Sequence, residues 1–323
     1  MTAHASKMRT IDIHTHLYPE FYLDLLRARS TFPRITANED GEIIETVIEG
    51  RGFPLSSSFW SVEEKLRFMD RWGLHRSLVS IGNPWLRFIA DTEESVAVAR
   101  ELNHQYAAIS KTQSRLEALG VLPSWDLDGA ANEVERLAHE GILKGIATGP
   151  SVCGRTLDDP AIEPLWERLS AARMIVQIHP GEYALDGALL GLTAAVSFPC
   201  ETTIAAARLL EARVLLRFPG IRFLLAHGGG ALPFLLGRLD HFSRATGSEL
   251  PSVQAKAFFT DNVVYEARVL WLVYQAFGPD RLMFGSDHPF DARPEPPSSD
   301  GLAASDAVAE SIDHRNAASL LSA

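Results

Sequence analysis

Thr10-Ile11-Asp12-Ile13-His14-Thr15-His16 is the stretch on which the reading of this chain turns. Side chains alternate faces along an extended strand. Ile11 and Ile13 therefore point one way, and Asp12, His14 and His16 point the other. Two imidazoles on one face suit a grip on one metal ion and suit an apolar core badly. A pair of solvated loop histidines is the plain alternative for this stretch taken alone. The later sequence speaks against it, because further histidines and an aspartate end later apolar runs.

Outward from that strand, short apolar runs alternate with helical segments, the pattern of a parallel α/β fold. Glu20 to Arg29 reads as a helix, and Thr31 to Phe59, with GEIIETVIEG inside it, as an excursion carrying a small hairpin. Helical periodicity resumes at Val62-Glu63-Glu64-Lys65-Leu66-Arg67-Phe68-Met69. Strands two to four are expected at Ser77–Ile81, Glu117–Leu122 and Gly145–Thr148, with helices Glu93–Ser110 and Gly129–Glu140 between them. A helix around Ile162–Ala172 precedes strand five, Met174 to His179, and a long helical region, Glu201–Phe218, precedes strand six, Ile221 to His227. Helix Pro233–Ser243, strand seven near Phe258–Val263, helix Glu266–Phe277 and strand eight, Leu282 to Asp287, follow. An Ala/Leu-rich helix through Leu321 closes the chain. Eight strands separated by helices predict a TIM-type (β/α)8 barrel, with a doubly wound open sheet as the other arrangement of the same elements. At 323 residues such a barrel is one domain, 1–323.

Composition narrows the partners. Hydrophobic residues make up 46% and charged residues 22%, ordinary for a globular enzyme. A formal net charge of −11 argues against nucleic acid or an anionic membrane as the main partner. It leaves room for an anionic small molecule, since one or two arginines dominate the field inside a pocket. Cys153 and Cys200 form no CxxC pair, which argues against a disulfide framework or a thiolate metal site. Met1 to Lys7 is short and polar, no run approaches the roughly 18 apolar residues of a membrane span, and a cytoplasmic location is expected.

Barrel active sites lie at the C-terminal ends of the strands. His14 and His16 end strand one, His179 strand five, His227 strand six and Asp287 strand eight. Each taken singly reads as a strand terminator. Together, imidazoles and a carboxylate suit Zn2+ or a similar divalent ion, with a position left for water or substrate.

This HxH…His…His…Asp order resembles the amidohydrolase superfamily. The motifs IDIHTHLYP, IGNPW, FPCETTIAAARLL, LAHGGGALPFLLGRLDH and DRLMFGSDHPF look like its branch of metal-dependent decarboxylases that includes the aminocarboxymuconate-semialdehyde decarboxylases. Within that branch the chain is most similar to the isoorotate decarboxylases, which remove a C5 carboxylate from a pyrimidine. The resemblance runs from about Ile11 to Phe290. It implies that His14, His16, His179 and Asp287 hold one divalent ion, Zn2+ or Mn2+, with Asp287 and His227 catalytic. The modified lysine of two-metal relatives ends strand four, whereas Lys144 precedes it.

For the substrate, a small carboxylic acid, the resemblance implies Arg51 as a carboxylate-binding residue. Asn83 would meet a ring edge, where Asn offers donor and acceptor together, and Phe290 a ring face. Arg238 would be supplied to the neighbouring subunit of a homodimer. Non-oxidative decarboxylation is the leading expectation. Hydrolysis of a lactone or amide, or hydration of a double bond, on the same ligands is the second, and a non-catalytic metal-binding barrel the third. Trp85 reads as core, His75, His104, His139, His241 and His314 as background, and His288 as pointing either into the site or out of it. The loop after His179, PGEYALDGALLGLTAAVSFP, fits no one member of the branch.

Overall fold

The first strand, β1 (Thr10–His16), is buried along its whole length. Only a strand covered on both faces hides every residue in this way, and parallel sheets flanked by helices produce that situation. In the computed structural model, which describes residues 10–38, 43–48, 51–82, 85–182, 192–243, 249–290 and 306–322, that arrangement holds. β1 pairs in parallel with β2 (Leu74–Ser80), which pairs with β3 (Leu116–Ala118). A second parallel sheet runs in the order β4 (Gly145–Thr148), β5 (Ile175–Ile178), β6 (Arg222–Leu225), β7 (Phe259–Asp261), β8 (Leu282–Met283).

Backbone hydrogen bonds tie the two sheets at both seams. Gly120 N–H donates to Gly145 O at 2.9 Å and Ala147 N–H to Gly120 O at 2.8 Å, joining β3 to β4. Ile13 N–H donates to Phe284 O at 3.0 Å and Asp287 N–H to His14 O at 2.8 Å, joining the end of β8 to β1.

The connections are amphipathic helices. α1 (Glu20–Arg27) and α2 (Val62–Trp72) follow β1. Ser61 caps α2 by accepting from Glu64 N–H at 3.2 Å, and Gly73, at φ +66°, ends it in the left-handed conformation that glycine adopts without strain. The later helices are α3 (Thr92–Thr112), α4 (Leu127–Glu140), α5 (Glu163–Ala171), α6 (Phe198–Glu211), α7 (Leu232–Ser243), α8 (Ala267–Phe277) and α9 (Asn316–Ser322). No helix among the described residues is long and apolar enough to cross a membrane.

Several details differ from the sequence-based expectation, beginning with strand three, expected over Glu117–Leu122 and found at Leu116–Ala118. The excursion after β1 holds three antiparallel strands, Arg34–Ala37, Ile43–Ile48 and Arg51–Pro54, where a hairpin has two. The helical region expected over 201–218 begins at Phe198 and breaks at Arg213, whose φ of +54° no helix accommodates. Strand eight, expected to run to Asp287, keeps ladder pairing only at Leu282 and Met283. Beyond them Gly285 threads between β1 and β7: a Cβ there would lie 2.8 Å from His14 Cβ and 2.9 Å from Asp261 Cβ. Asp287 then turns at φ +57°, which ends the extended run.

Candidate metal centre

His14 and His16 leave the end of β1 on one face, as strand alternation requires, and both side chains are fully buried. His179 follows β5, and Asp287 follows β8 by way of the Gly285 passage. One ligand atom from each of these four residues lies within 4.8 Å of all the others. His16 Nε2 is 3.0 Å and His14 Nε2 3.2 Å from Asp287 Oδ1. His227, after β6, completes the group with Nε2 at 3.3 Å from Asp287 Oδ2. Asp287 and His227 both hold positive φ, +57° and +56°. Left-handed backbone in residues with a Cβ persists only where the surroundings enforce it, and it concentrates at functional sites.

The donors face inward because their other atoms are occupied. His14 Nδ1–H donates to Asp261 Oδ2 at 2.7 Å, which leaves Nε2 toward the centre. His179 Nδ1–H donates to Pro180 O at 2.8 Å and orients its ring in the same way. His179 Nε2 is buried and makes no hydrogen bond, and His14 Nε2, equally buried, has only the Asp287 carboxylate beside it. Buried imidazole nitrogens that converge on a carboxylate are a donor set suited to a divalent cation.

The protonation pattern agrees. Burial disfavours charge on His14, but Asp287 and Asp261 on either side outweigh it and raise its pKa to about 10. Burial pushes His16 down to about 4 and His179 well below the usual histidine range. Burial would raise Asp287, yet His14, His16 and His227 hold it well below the usual carboxylate range. The proton is thus favoured on His14 and disfavoured on His16 and His179, beside a carboxylate that stays ionised. Three nitrogen donors and one carboxylate match a divalent ion with an open position.

A cavity of about 580 Å³ stands over this group. His179, His227 and Asp287 form its polar floor, and Phe198, Val264, Tyr265, Val269 and Phe290 give apolar walls. Phe290 meets His16 edge-on at 5.4 Å between ring centroids. Arg238 lies elsewhere, on the exposed face of α7 with its guanidinium 5.2 Å from the Phe242 ring. Arg51 opens the third strand of the excursion, but its side chain lies outside the described residues, as does all of Asn83. Lys144 sits at the opposite end of the strands, donating to Leu321 O at 3.1 Å and paired with Glu117 at 3.2 Å. His288 points away from the centre and stacks on Phe68 at 3.7 Å.

Sequence reasoning passed over Asp261. Its carboxylate accepts from His14 Nδ1–H and from the backbone N–H groups of His227, Gly228 and Val263, at 2.7, 2.9, 3.0 and 2.9 Å. It thereby fixes one ligand and the His227 turn together. Glu201 was also missed: its Oε2 accepts from Gly181 and Glu182 N–H at 2.8 and 3.1 Å and anchors the segment after His179.

The chain is similar to several known proteins. A family model described as amidohydrolase matches residues 11–322. The chain is 26% identical to 2-amino-3-carboxymuconate-6-semialdehyde decarboxylase of Dictyostelium discoideum, over 87% of this chain and 81% of that one. It is 27% identical to gamma-resorcylate decarboxylase of a Polaromonas species, over 80% and 88% respectively. Among solved structures, IDCase of Metarhizium anisopliae in its apo form superposes with a TM-score of 0.83 and 29% identity, covering 97% of each chain. By its fold, by its converging histidines and aspartate and by a family match over nearly its whole length, the chain belongs to the amidohydrolase family.

Proposed function

We propose that this chain is a metal-dependent, non-oxidative decarboxylase of an aromatic, pyrimidine or unsaturated carboxylic acid, with isoorotate or 5-carboxyuracil as the favoured kind of substrate. The observation that carries this reading is the convergence of His14, His16, His179 and Asp287, two of which, His179 and Asp287, line a cavity walled by Phe198, Val264 and Phe290. Such a cavity accepts a flat ring and offers its carboxylate to a cation. The named relatives, decarboxylases of carboxymuconate-semialdehyde and resorcylate, support the same chemistry. The hydrogen bonds at both seams between the sheets support a closed (β/α)8 barrel with the antiparallel excursion beside its mouth. A family match over 11–322 supports one domain over 1–323.

When bound, a divalent cation (Zn2+ favoured by three imidazoles, Mn2+ the alternative) supplies Lewis-acid stabilisation of the carboxylate and a neighbouring oxygen. In this reading His227 Nε2, at the cavity floor, hydrogen-bonds that carboxylate or oxygen. Asp287, ionised at rest, would take a proton from a solvent water and pass it to the ring carbon that bears the carboxylate, or orient a water that gives it directly, the hydroxide left behind returning to solvent. That carbon keeps the proton, the C–C bond breaks, and its electron pair returns to the ring as CO2 departs. Arg51 fixes the far side of the substrate, Asn83 meets its ring edge, and Phe290 stacks on it.

Arg238, exposed on α7 beside exposed Phe234 and Phe242, serves the cavity of a second copy in a homodimer. The two free cysteines fit a cytoplasmic location.

The test is CO2 release from 5-carboxyuracil and from 2,6-dihydroxybenzoate, with metal-stripped protein as control. Release that needs the metal supports the reading. Turnover of lactones or amides without CO2 from any carboxylic acid overturns it.

A further inference from the structure

Behind the four converging side chains lies a buried amino group that the proposed reaction does not use, its pKa pushed down by burial to about 7. Lys65 sits on the inward face of α2 with Phe68 and Met69 and has no exposed surface. A buried ammonium is costly unless each of its N–H groups finds an acceptor. All three do: Thr15 Oγ1 and His288 Nδ1 lie at 2.6 Å and His288 O at 3.2 Å. The Thr15 hydroxyl donates in turn to His288 O at 2.7 Å. Phe68 covers the His288 ring from one side, 3.7 Å between centroids and 20° between planes. Thr15 stands between His14 and His16, and His288 follows Asp287. One ammonium thus joins the end of β1 to the turn that presents the carboxylate.

That turn needs holding. Asp287 keeps φ at +57°, a conformation that is strained in a residue with a side chain and relaxes when its surroundings loosen. A second tie comes from Asp12, which accepts from Ser286 N–H at 3.0 Å and Ser286 Oγ–H at 2.6 Å.

We propose that Lys65 is a positioning residue: its buried ammonium pins the Asp287–His288 turn to β1 and keeps the Asp287 carboxylate against His14 and His16. The inference rests on the reading of these residues as a metal site. It separates from a packing role by readout: lost packing lowers the Tm alone, whereas a lost clamp weakens metal binding by the chain that still folds.

The full-length chain carrying Lys65→Met, which keeps the length and removes the donors, tests it. Mn2+ and Zn2+ affinities are measured by chelator competition, the Mn2+ environment by electron paramagnetic resonance, and the Tm on metal-free protein. Metal affinity is expected to fall about 10–100-fold, the usual effect of removing a group that orients a ligand. The Mn2+ spectrum changes with it, and the metal-free Tm falls as well because Thr15 Oγ1, His288 Nδ1 and His288 O lose their donor, so the metal affinity of the folded chain is the deciding readout. Unchanged affinity overturns the inference, and so does a lowered Tm with unchanged affinity, the mark of packing alone. If Lys65→Met does not fold, Thr15→Val carries the test by removing one acceptor of the ammonium and one donor to His288 O. Weaker metal binding by that variant supports the clamp, and unaltered binding overturns it. Should the unaltered chain bind neither ion, the metal-site reading falls and takes this inference with it. Equal binding by unaltered and Lys65→Met chains removes the inference alone.

Discussion

Replacing Asp261 by Asn changes one atom and tests whether a carboxylate outside the ligand set governs the site. Each of its oxygens serves two donors: Oδ2 takes His14 Nδ1–H and His227 N–H, and Oδ1 takes Gly228 and Val263 N–H. An amide presents one oxygen and one NH2, so in either orientation two buried donors face another donor. Each such orphan costs about 1–3 kcal/mol, so the metal-free variant is expected to lose about 2–6 kcal/mol of stability. With the amide oxygen toward His14, that ring keeps its orientation but loses the charged partner that makes it a strong ligand. With the NH2 toward His14, the ring loses its orientation as well. Either way metal affinity is expected to fall about 10–100-fold. Urea unfolding of the metal-free protein and chelator competition on the folded protein read the two effects separately. A variant that matches the unaltered chain in both would refute the role given to Asp261.

Two further outcomes follow from the same geometry. Gly285→Ala places a methyl within 2.8 Å of His14 Cβ and 2.9 Å of Asp261 Cβ, neither of them the free end of a flexible side chain. It is expected to weaken metal binding and lower the Tm together, and calorimetry on loaded and stripped protein checks both. Metal loading near neutral pH is expected to release about one proton, because ligation needs the neutral imidazole. Although burial opposes charge on His14, Asp287 and Asp261 raise its pKa to about 10, while burial keeps His16 and His179 already neutral. The bound metal displaces that proton, so affinity rises as pH rises toward about 10 and falls as pH drops. Titration calorimetry in buffers of different ionisation enthalpy counts the protons, and a count of zero would contradict the assignment.

The ligands were legible in the sequence because strand alternation and strand ends are local properties. His14 and His16 share a face by the period of an extended chain, and His179 and Asp287 close apolar runs. β4, Gly145–Thr148, falls where the sequence puts it for the same reason. Asp261 was missed although it closes strand seven as Asp287 follows strand eight. Its meaning lies in donors 247 and 34 residues away in sequence, which no local pattern reveals. The aspartate of FTDN at the end of an apolar run was the available signal. Lys65 was hidden by its type, since a lysine in a helix ordinarily faces water. Its spacing of three and four from Phe68 and Met69 nonetheless put it on the buried face. Strand eight was extended too far because FGSD reads as extended chain, whereas Gly285 serves close packing and Asp287 a left-handed turn.

Metal content and CO2 release measured together on the unaltered chain and on Asp287→Ala test the central claim most directly. The account requires about one divalent ion per chain in the unaltered protein, in line with a single group of four ligands. It also requires metal-dependent CO2 release from a carboxylated ring, with both ion and release lost in the variant. An Asp287→Ala protein that keeps its ion and its full rate would contradict it.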